Sequence, residues 1–444
     1  MSSDPVRLTT LCLNYAPELT GIAVYTSGLA EGLADADLPV HVITGYPHYP
    51  EWRIHDGYTG LSRVEHDAAV TLTRLRHPVP RRPRLANRLV MELTFGLRAI
   101  LTNWKKPDVV LLVTPALFST GLAVLKARLS HTPTCIWVQD IYSLGVQESG
   151  TGGQLPARML RRFERRILNS ATSVVVIHDR FKRYLTEELQ VSADRIDVVR
   201  NWSHVEAGDP GRRDDVRRAR GWAPDDIVVL HAGNMGAKQG LENVVNASEI
   251  ASAQGSKVRF VLLGDGNQRA ALHALGPNPR LEFVDPLPDA EFAAVLSAAD
   301  ILLVNERPGL TEMSVPSKLT SYFSTGLPVI AATDAESITA EELERAGGGL
   351  RVNAGAPGAL VDAAEDLGAD PELAASYGVA GRLFTERTLA AAPAIEQFRV
   401  ILLRLARGTA SGDDDGTKLD SGATDVVLAE PEVSAPVRGV FDLK

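Results

Sequence analysis

Cysteine is nearly absent. Cys12 and Cys135 are the only two in 444 residues. That excludes a disulfide framework and a cysteine-rich metal site. Both lie in apolar, strand-like runs and read as small core residues kept reduced. Long hydrophobic runs are missing as well: no stretch of about 18 uncharged apolar residues occurs, so no membrane-spanning helix is expected. The opening residues lack the basic and apolar regions of a secretory signal, and a cytoplasmic location is expected. The 37 glycines and 26 prolines follow no period, which excludes a collagen-like chain. Neither leading strand is followed by Gly-x-Gly-x-x-Gly or a Walker loop, which argues against a nicotinamide oxidoreductase or an ordinary ATP site. No Asp-x-Asp metal motif is apparent at a strand end. An excess of positive charge is also lacking. The net charge is −9, which argues against nucleic acid as a partner.

What is present is ample core material. Hydrophobic residues make up 45% and charged residues 23%, enough for two or three soluble domains. Charge is unevenly placed. Residues 1–205 hold 24 Lys/Arg against 19 Asp/Glu, a balance of +5, and the remainder holds 22 against 36, a balance of −14. Different partners for the two halves follow from that asymmetry.

Short β-branched runs alternate with helical patterns. In the front half, Val6–Leu13, Val40–Thr44, Val70–Arg74, Val109–Val113, Cys135–Val138, Ser173–Ile177 and Ile196–Val199 read as strands, with helices over Ala23–Ala34, Leu85–Leu101, Thr120–Arg128, Ala157–Asn169 and Arg180–Leu189 between several of them. The polar stretch Asn201–Asp226 reads as an interdomain linker plus the lead-in to a second unit. The alternation then restarts at Ile227–His231 and runs to Leu350–Val352. Such alternation predicts an α/β fold of two doubly wound, Rossmann-like domains. The expected division is residues 1–205, residues 206–370, a helical segment over 371–407 and an acidic tail over 408–444 without core-forming density.

Four segments carry chemistry. The first strand runs into Asn14-Tyr15-Ala16-Pro17-Glu18-Leu19-Thr20-Gly21 and then a helix. Gly21 lets backbone N–H groups approach a ligand, and the helix start favours an anion. In the second half, Gly233-Asn234-Met235-Gly236-Ala237-Lys238-Gln239-Gly240 occupies the same topological place, with Lys238 adding a cation suited to a diphosphate. His231 before it reads as a strand-end residue. Gly264-Asp265-Gly266 ends another strand. Finally Pro316-Ser317-Lys318-Leu319-Thr320-Ser321 opens a helix with Ser317 as its cap, closed by Gly326-Leu327-Pro328.

Taken in order, these segments resemble the retaining GT-B glycosyltransferases of family four, with wording similar to the colanic-acid-type bacterial polysaccharide enzymes. Segments like Gly45-Tyr46-Pro47-His48-Tyr49-Pro50 and Val138-Gln139-Asp140 also recur there. The resemblance spans about residues 6–405. It implies that a nucleoside-diphosphate sugar binds mainly on the second domain as donor substrate, without further cofactor or metal, and that a glycan or lipid-linked acceptor binds on the first. Donor contacts are then expected from Gly21, Gly233, Asn234, Lys238, Gly264, Asp265, Gly266, Ser317, Lys318 and Ser321, and acceptor contacts from His48 and Tyr49. Asp140 and Glu312 are the candidate catalytic residues. Three departures stand out. Asn234 replaces the usual Arg, which leaves Lys238 as the main cation. Ser321 replaces the Glu that holds the ribose in many members, and Glu312 stands one residue from the place of the other motif Glu.

Two rival readings share these elements: a sugar-nucleotide epimerase on the same fold, and a non-catalytic sugar-nucleotide-binding subunit. A last feature is basic. Arg158, Arg161, Arg162, Arg165 and Arg166 segregate from Met159, Leu160, Phe163 and Ile167 at helical spacing, and Arg81, Arg82 and Arg84 precede another helix. An anionic membrane surface is the partner such a face fits, placing the enzyme peripherally on the inner side of the cell membrane. A solvated helix packed on the sheet is the alternative.

Overall fold

The computed structural model describes residues 6–18, 21–67, 69–81, 85–144, 154–203, 210–310 and 317–410. Glu312, the 205/206 boundary, Arg82, Arg84 and all of the tail beyond Ala410 lie outside them, and nothing is described of the Ser317 side chain.

The β-branched runs of the front half become β1 (Leu8–Leu11), β2 (Val40–Gly45), β4 (Val70–Leu75), β5 (Val109–Val113), β6 (Thr134–Val138), β7 (Ser173–Val176) and β8 (Ile196–Val198). β1, β2, β5, β6 and β7 are buried at every residue, as strands covered on both faces must be. An eighth strand, β3 (Ser62–Asp67), was not expected from the sequence. It is polar and nearly all exposed, and it pairs antiparallel with β4 at the sheet edge. Its charged side chains protect that edge. The sheet order is β3-β4-β2-β1-β5-β6-β7-β8, and every other pair is parallel.

The second sheet contains β9 (Ile227–Ala232), β10 (Val258–Leu263), β11 (Leu281–Val284), β12 (Ile301–Asn305), β13 (Val329–Ala332) and β14 (Gly349–Val352). Its order is β11-β10-β9-β12-β13-β14, all parallel. In each sheet the winding reverses beside the first strand of that unit, between β1 and β5 and between β9 and β12. Open α/β sheets bind ligands at the carboxyl ends of such strands. The Gly21 and Gly233 turns leave from β1 and β9.

One expectation is made specific and another needs correction. The lead-in to the second unit, within the polar stretch after Asn201, contains the helix Arg213–Ala219. Its Arg217 is buried. One side-chain nitrogen donates to Asp300 at 3.0 Å and the other to the Asp226 carbonyl at 2.6 Å. A charged run can be structural when carboxylates and carbonyls meet it inside. The helix Gln154–Leu168 also segregates less cleanly than its spacing predicts. Leu160 and Ile167 are buried, but Met159 and Phe163 are exposed, Glu164 is buried, and Arg161 is ion-paired with Glu188.

The helical ending is two helices. Pro371–Thr388 packs on the helix Ser317–Thr325, with Gly378 against the Gly326 carbonyl. Ala391–Ala410 then crosses to the first sheet, where Phe398 stands 4.8 Å from Trp137 between ring centroids. A second tie between the halves is ionic. Glu342 faces His178 at 3.1 Å and Arg200 at 2.7 Å, and Arg180 reaches Glu341 at 2.6 Å. Burial works against the Glu342 charge, yet His178 and Arg200 hold its carboxyl below the usual range.

Candidate active site

On the second domain the site is built from backbone. Gly233, at φ +113°, follows β9, and Gly264, at φ +133°, follows β10. The two turns lie against each other: Gly233 N donates to the Leu263 carbonyl at 2.8 Å, and Met235 N to the Asp265 carbonyl at 2.8 Å. A Cβ on Gly264 would overlap the Gly233 carbonyl, and one on Gly266 would come within 2.5 Å of Met235 O. Gly264 is required by contact as well as by dihedral angle, and Gly266 by contact. Asp265 caps its own turn, accepting from Gly266 N at 2.8 Å.

Two cations flank this turn. Lys238 is exposed on the short 3-10 turn Ala237–Gln239. Lys318, on the first turn of the helix Ser317–Thr325, brings its ammonium to 3.2 Å from where a Gly233 Cβ would stand. Burial lowers the Lys318 ammonium to about 8, with the Glu306 carboxylate opposing. Asn234 is exposed beside them, and Ser321 is buried on the same helix as Lys318.

Residues that the sequence did not single out hold the turn in place. The Tyr322 hydroxyl accepts from Ala232 N at 2.8 Å and lies 3.3 Å from its carbonyl, which pins the end of β9. Asn305 Nδ2 donates to the Gln239 and Gly240 carbonyls at 2.7 and 3.0 Å. Glu306, on the buried side, accepts from Thr333 and from Thr339 at 2.6 Å. The Tyr, Asn and Glu each follow a motif or strand end closely, but only the tertiary fold reveals their partners.

The first domain uses buried side chains instead. Glu18 is 3% exposed. Its Oε1 accepts from His48 N at 2.7 Å and Tyr49 N at 2.9 Å, and its Oε2 from Asn14 Nδ2 at 2.8 Å. One carboxylate thereby ties the Gly21 turn to the 46–50 loop. Tyr49 faces Gly21, 3.9 Å from its Cβ position. His48 is 1% exposed, so it stands behind the loop, and Tyr49 is the member of the pair that the surface reaches. Burial lowers the His48 imidazole despite Glu18 beside it. Asp140 follows β6 and is half-buried. Burial raises its carboxyl to about 6, while Lys238 from the second domain and Arg88 from the first draw it back. The charge of Lys238 on the second domain is thus felt at Asp140 on the first. His231 is wholly buried at its strand end, its Nδ1 3.1 Å from the Leu303 carbonyl. Among the described residues no three His, Cys, Asp or Glu side chains are grouped to hold a metal ion.

Comparison with known proteins agrees with this geometry. Residues 20–202 match the glycosyl transferase 4-like domain, and residues 226–370 match the glycosyl transferases group 1 family. The chain belongs to the glycosyltransferases of the two-domain GT-B type. Among individual proteins, it is 29% identical over 346 residues to the putative colanic acid biosynthesis glycosyl transferase WcaI of Escherichia coli, a match covering 74% of this chain and 84% of that one. In fold it is similar to sucrose-phosphate synthase from Thermosynechococcus elongatus, with TM-score 0.69 at 19% identity, over 91% of this chain and 100% of the other. It is also similar to the HepE protein of Anabaena in complex with UDP and glucose, with TM-score 0.66 at 14% identity, over 90% and 99% of the two chains.

Proposed function

We propose that this glycosyltransferase moves a sugar from a nucleoside-diphosphate sugar to a glycan or lipid-linked acceptor, with retention of anomeric configuration, in surface polysaccharide or glycoconjugate assembly. The observation that carries the reading is the pairing of Lys238 and Lys318 at the Gly233 turn with Asp140 opposite. The names of the relatives, a colanic acid enzyme and a UDP-binding neighbour, support the substrate class.

The chemistry follows from charge. As the bond between sugar and diphosphate breaks, negative charge builds on the phosphate oxygens. Lys238, Lys318 and the amides of the Gly233 turn and of the helix beginning at Ser317 stabilise that charge more as it grows, which lowers the barrier. Asp140, with its carboxyl near 6, is suited to orient the acceptor hydroxyl or to take its proton. Glu312 is proposed as a donor-sugar contact. Gly21, Gly264, Asp265, Gly266, Asn234 and Ser321 shape the donor side.

The first domain is also proposed to rest on an anionic membrane. Met159 and Phe163 are exposed among Arg158, Arg162, Arg165 and Arg166. The neighbouring helices Leu85–Leu101 and Leu117–Leu129 expose Val90, Leu97 and Leu101, and Leu125 and Leu129. No described helix is long and apolar enough to cross a membrane.

A thermal-shift panel of nucleoside diphosphates tests the donor reading. A bound diphosphate at 100 times its Kd should add roughly 2.7 kcal/mol of stability. Incubation with donor alone separates the rival: an epimerised donor would replace transfer with epimerisation.

A further inference from the structure

A cavity of about 700 Å³ lies on the first domain behind the 46–50 loop. It sits between residues 51–54, which follow that loop, the segment after β4 and the helix Leu85–Leu101, and Trp52, Arg53, Arg76, His77, Arg81 and Arg98 line it. That volume suits one or two sugar rings. Glu51 is the acidic residue in its wall, and it lies 3.1 Å from His55.

The arginines are mostly uncommitted. Arg53 pairs with Asp56 at 3.2 Å, and Arg98 donates to the Leu61 carbonyl at 2.6 Å. Among the described residues, Arg76, Arg81 and Arg98 have no carboxylate within ion-pair distance. Unpaired guanidinium groups around one concavity attract an anion and bind it with directed N–H groups.

Two further features shape the wall. His77 is buried, with Nδ1 3.3 Å from the Leu75 carbonyl, and its Nε2 is sealed from solvent without a partner. Nδ1 carries the proton toward that carbonyl, and the ring packs against His48 and Phe95 behind the wall. Burial, reinforced by His48 and Arg98, drives this imidazole down to about 3, so it stays neutral. Trp52 is held at φ 53°, a left-handed conformation that is costly for an aromatic residue. Its ring packs 6.1 Å from both His48 and Tyr49, which sets one wall of the cavity one ring away from the cleft.

We propose that this cavity is a second acceptor subsite, which binds an oxyanion-bearing sugar unit, phosphate or carboxylate, adjoining the unit that receives the transferred sugar. The inference rests on the reading of the first domain as the acceptor side. Arg76, Arg81 and Arg98 hold the oxyanion, and Trp52 covers a ring face.

The test titrates the full chain with glucose 6-phosphate, glucuronate and glucose by calorimetry, in wild type, in Lys238→Ala and in Arg76→Gln/Arg81→Gln. At least one anionic sugar should bind wild type and Lys238→Ala alike, and glucose should bind far more weakly. The double arginine variant should weaken the anionic sugar at least about tenfold, as loss of charge-assisted hydrogen bonds implies. It should leave nucleoside diphosphate affinity and melting temperature unmoved. Preference for glucose 6-phosphate over glucuronate would identify phosphate as the group, and the reverse order carboxylate. The proposal is overturned if wild type binds neither anionic sugar, or if their binding disappears in Lys238→Ala and persists in the arginine variant. Absence of nucleoside diphosphate binding with the subsite intact would instead sink the donor reading alone.

Discussion

The two halves of the cleft are made differently. The proposed donor turn is a backbone object: Gly233 and Gly264 stack turn on turn, and Lys238 and Lys318 add charge beside it. The proposed acceptor loop is a side-chain object, held by one buried carboxylate that accepts from the backbone N–H groups of His48 and Tyr49. A backbone cradle fits the unchanging part of a donor, its diphosphate. A loop tied by a side chain can vary its exposed residues while its anchor stays fixed.

The sharpest way to break that contrast is Gly264→Ala. A Cβ there meets a backbone oxygen at a dihedral angle that L residues avoid, so nothing flexible can yield. A loss of about 3 kcal/mol or more in denaturant unfolding is expected, together with loss of nucleotide binding. Gly21→Ala is the control on the other side. Its Cβ would meet nothing closer than Tyr49 at 3.9 Å, so only its backbone, at φ +64° and ψ −139°, is strained, at about 1–3 kcal/mol. Equal losses at both positions would remove the distinction.

Next in size is the charge at the donor turn. Lys238→Ala and Lys318→Ala should each weaken nucleoside diphosphate binding by about 1.5–3 kcal/mol, with little effect on the nucleoside. Lys318 gives this a pH signature. Its ammonium sits near 8 in the free site, and only the protonated form attracts diphosphate. Affinity should therefore hold below pH 8 and fall as pH rises through that value. Lys318→Met should abolish this limb, and a wild-type affinity that is flat from pH 7 to pH 9.5 would show that Lys318 does not contact the diphosphate.

How much of this was legible in the sequence follows from the same contrast. Gly233, Gly264, Gly266 and the helix start at Ser317 announce themselves locally, because turn chemistry is written in adjacent residues. The strands buried on both faces were legible as β-branched runs. β3 was not, because its stability comes from pairing with β4 and its residues are polar. The buried role of Arg217 was not legible either, because its partner Asp300 lies 83 residues away. Glu18 stood inside a noticed segment, yet its role depends on His48 and Tyr49, 30 and 31 residues on. Lys318 was visible, but its approach to Gly233 requires two elements to be packed together.

On the acceptor side, Glu18→Ala should release the 46–50 loop. A cost of about 1–3 kcal/mol is expected, since two backbone donors are left unpaired. The effect should appear in KM and kcat for the acceptor, with nucleoside diphosphate affinity unchanged, and Glu18→Gln should recover part of it. Impaired nucleotide binding would mean that the two sides are one cooperative unit.

The smallest effect on the cleft is expected from the proposed membrane face, which lies on the first domain only. Arg158, Arg162, Arg165 and Arg166 are exposed on Gln154–Leu168, whereas Arg161 is occupied by Glu188. Each free arginine contributes about 1 kcal/mol toward an anionic leaflet, and the exposed Met159 and Phe163 add apolar contact. Replacing Arg162, Arg165 and Arg166 by Gln should thus abolish sedimentation with anionic vesicles at low salt. Stability and nucleotide affinity should stay within error, because among the described residues these side chains support no buried partner. Added salt should mimic the substitution in wild type, since the Debye length shortens to ~3 Å at 1 M. The acidic second domain would be repelled from the same surface, leaving the donor turn open to a soluble sugar nucleotide. A wild-type protein that ignores anionic vesicles at low salt would reduce this helix to a solvated face, and the asymmetry between the halves would then concern the cleft alone.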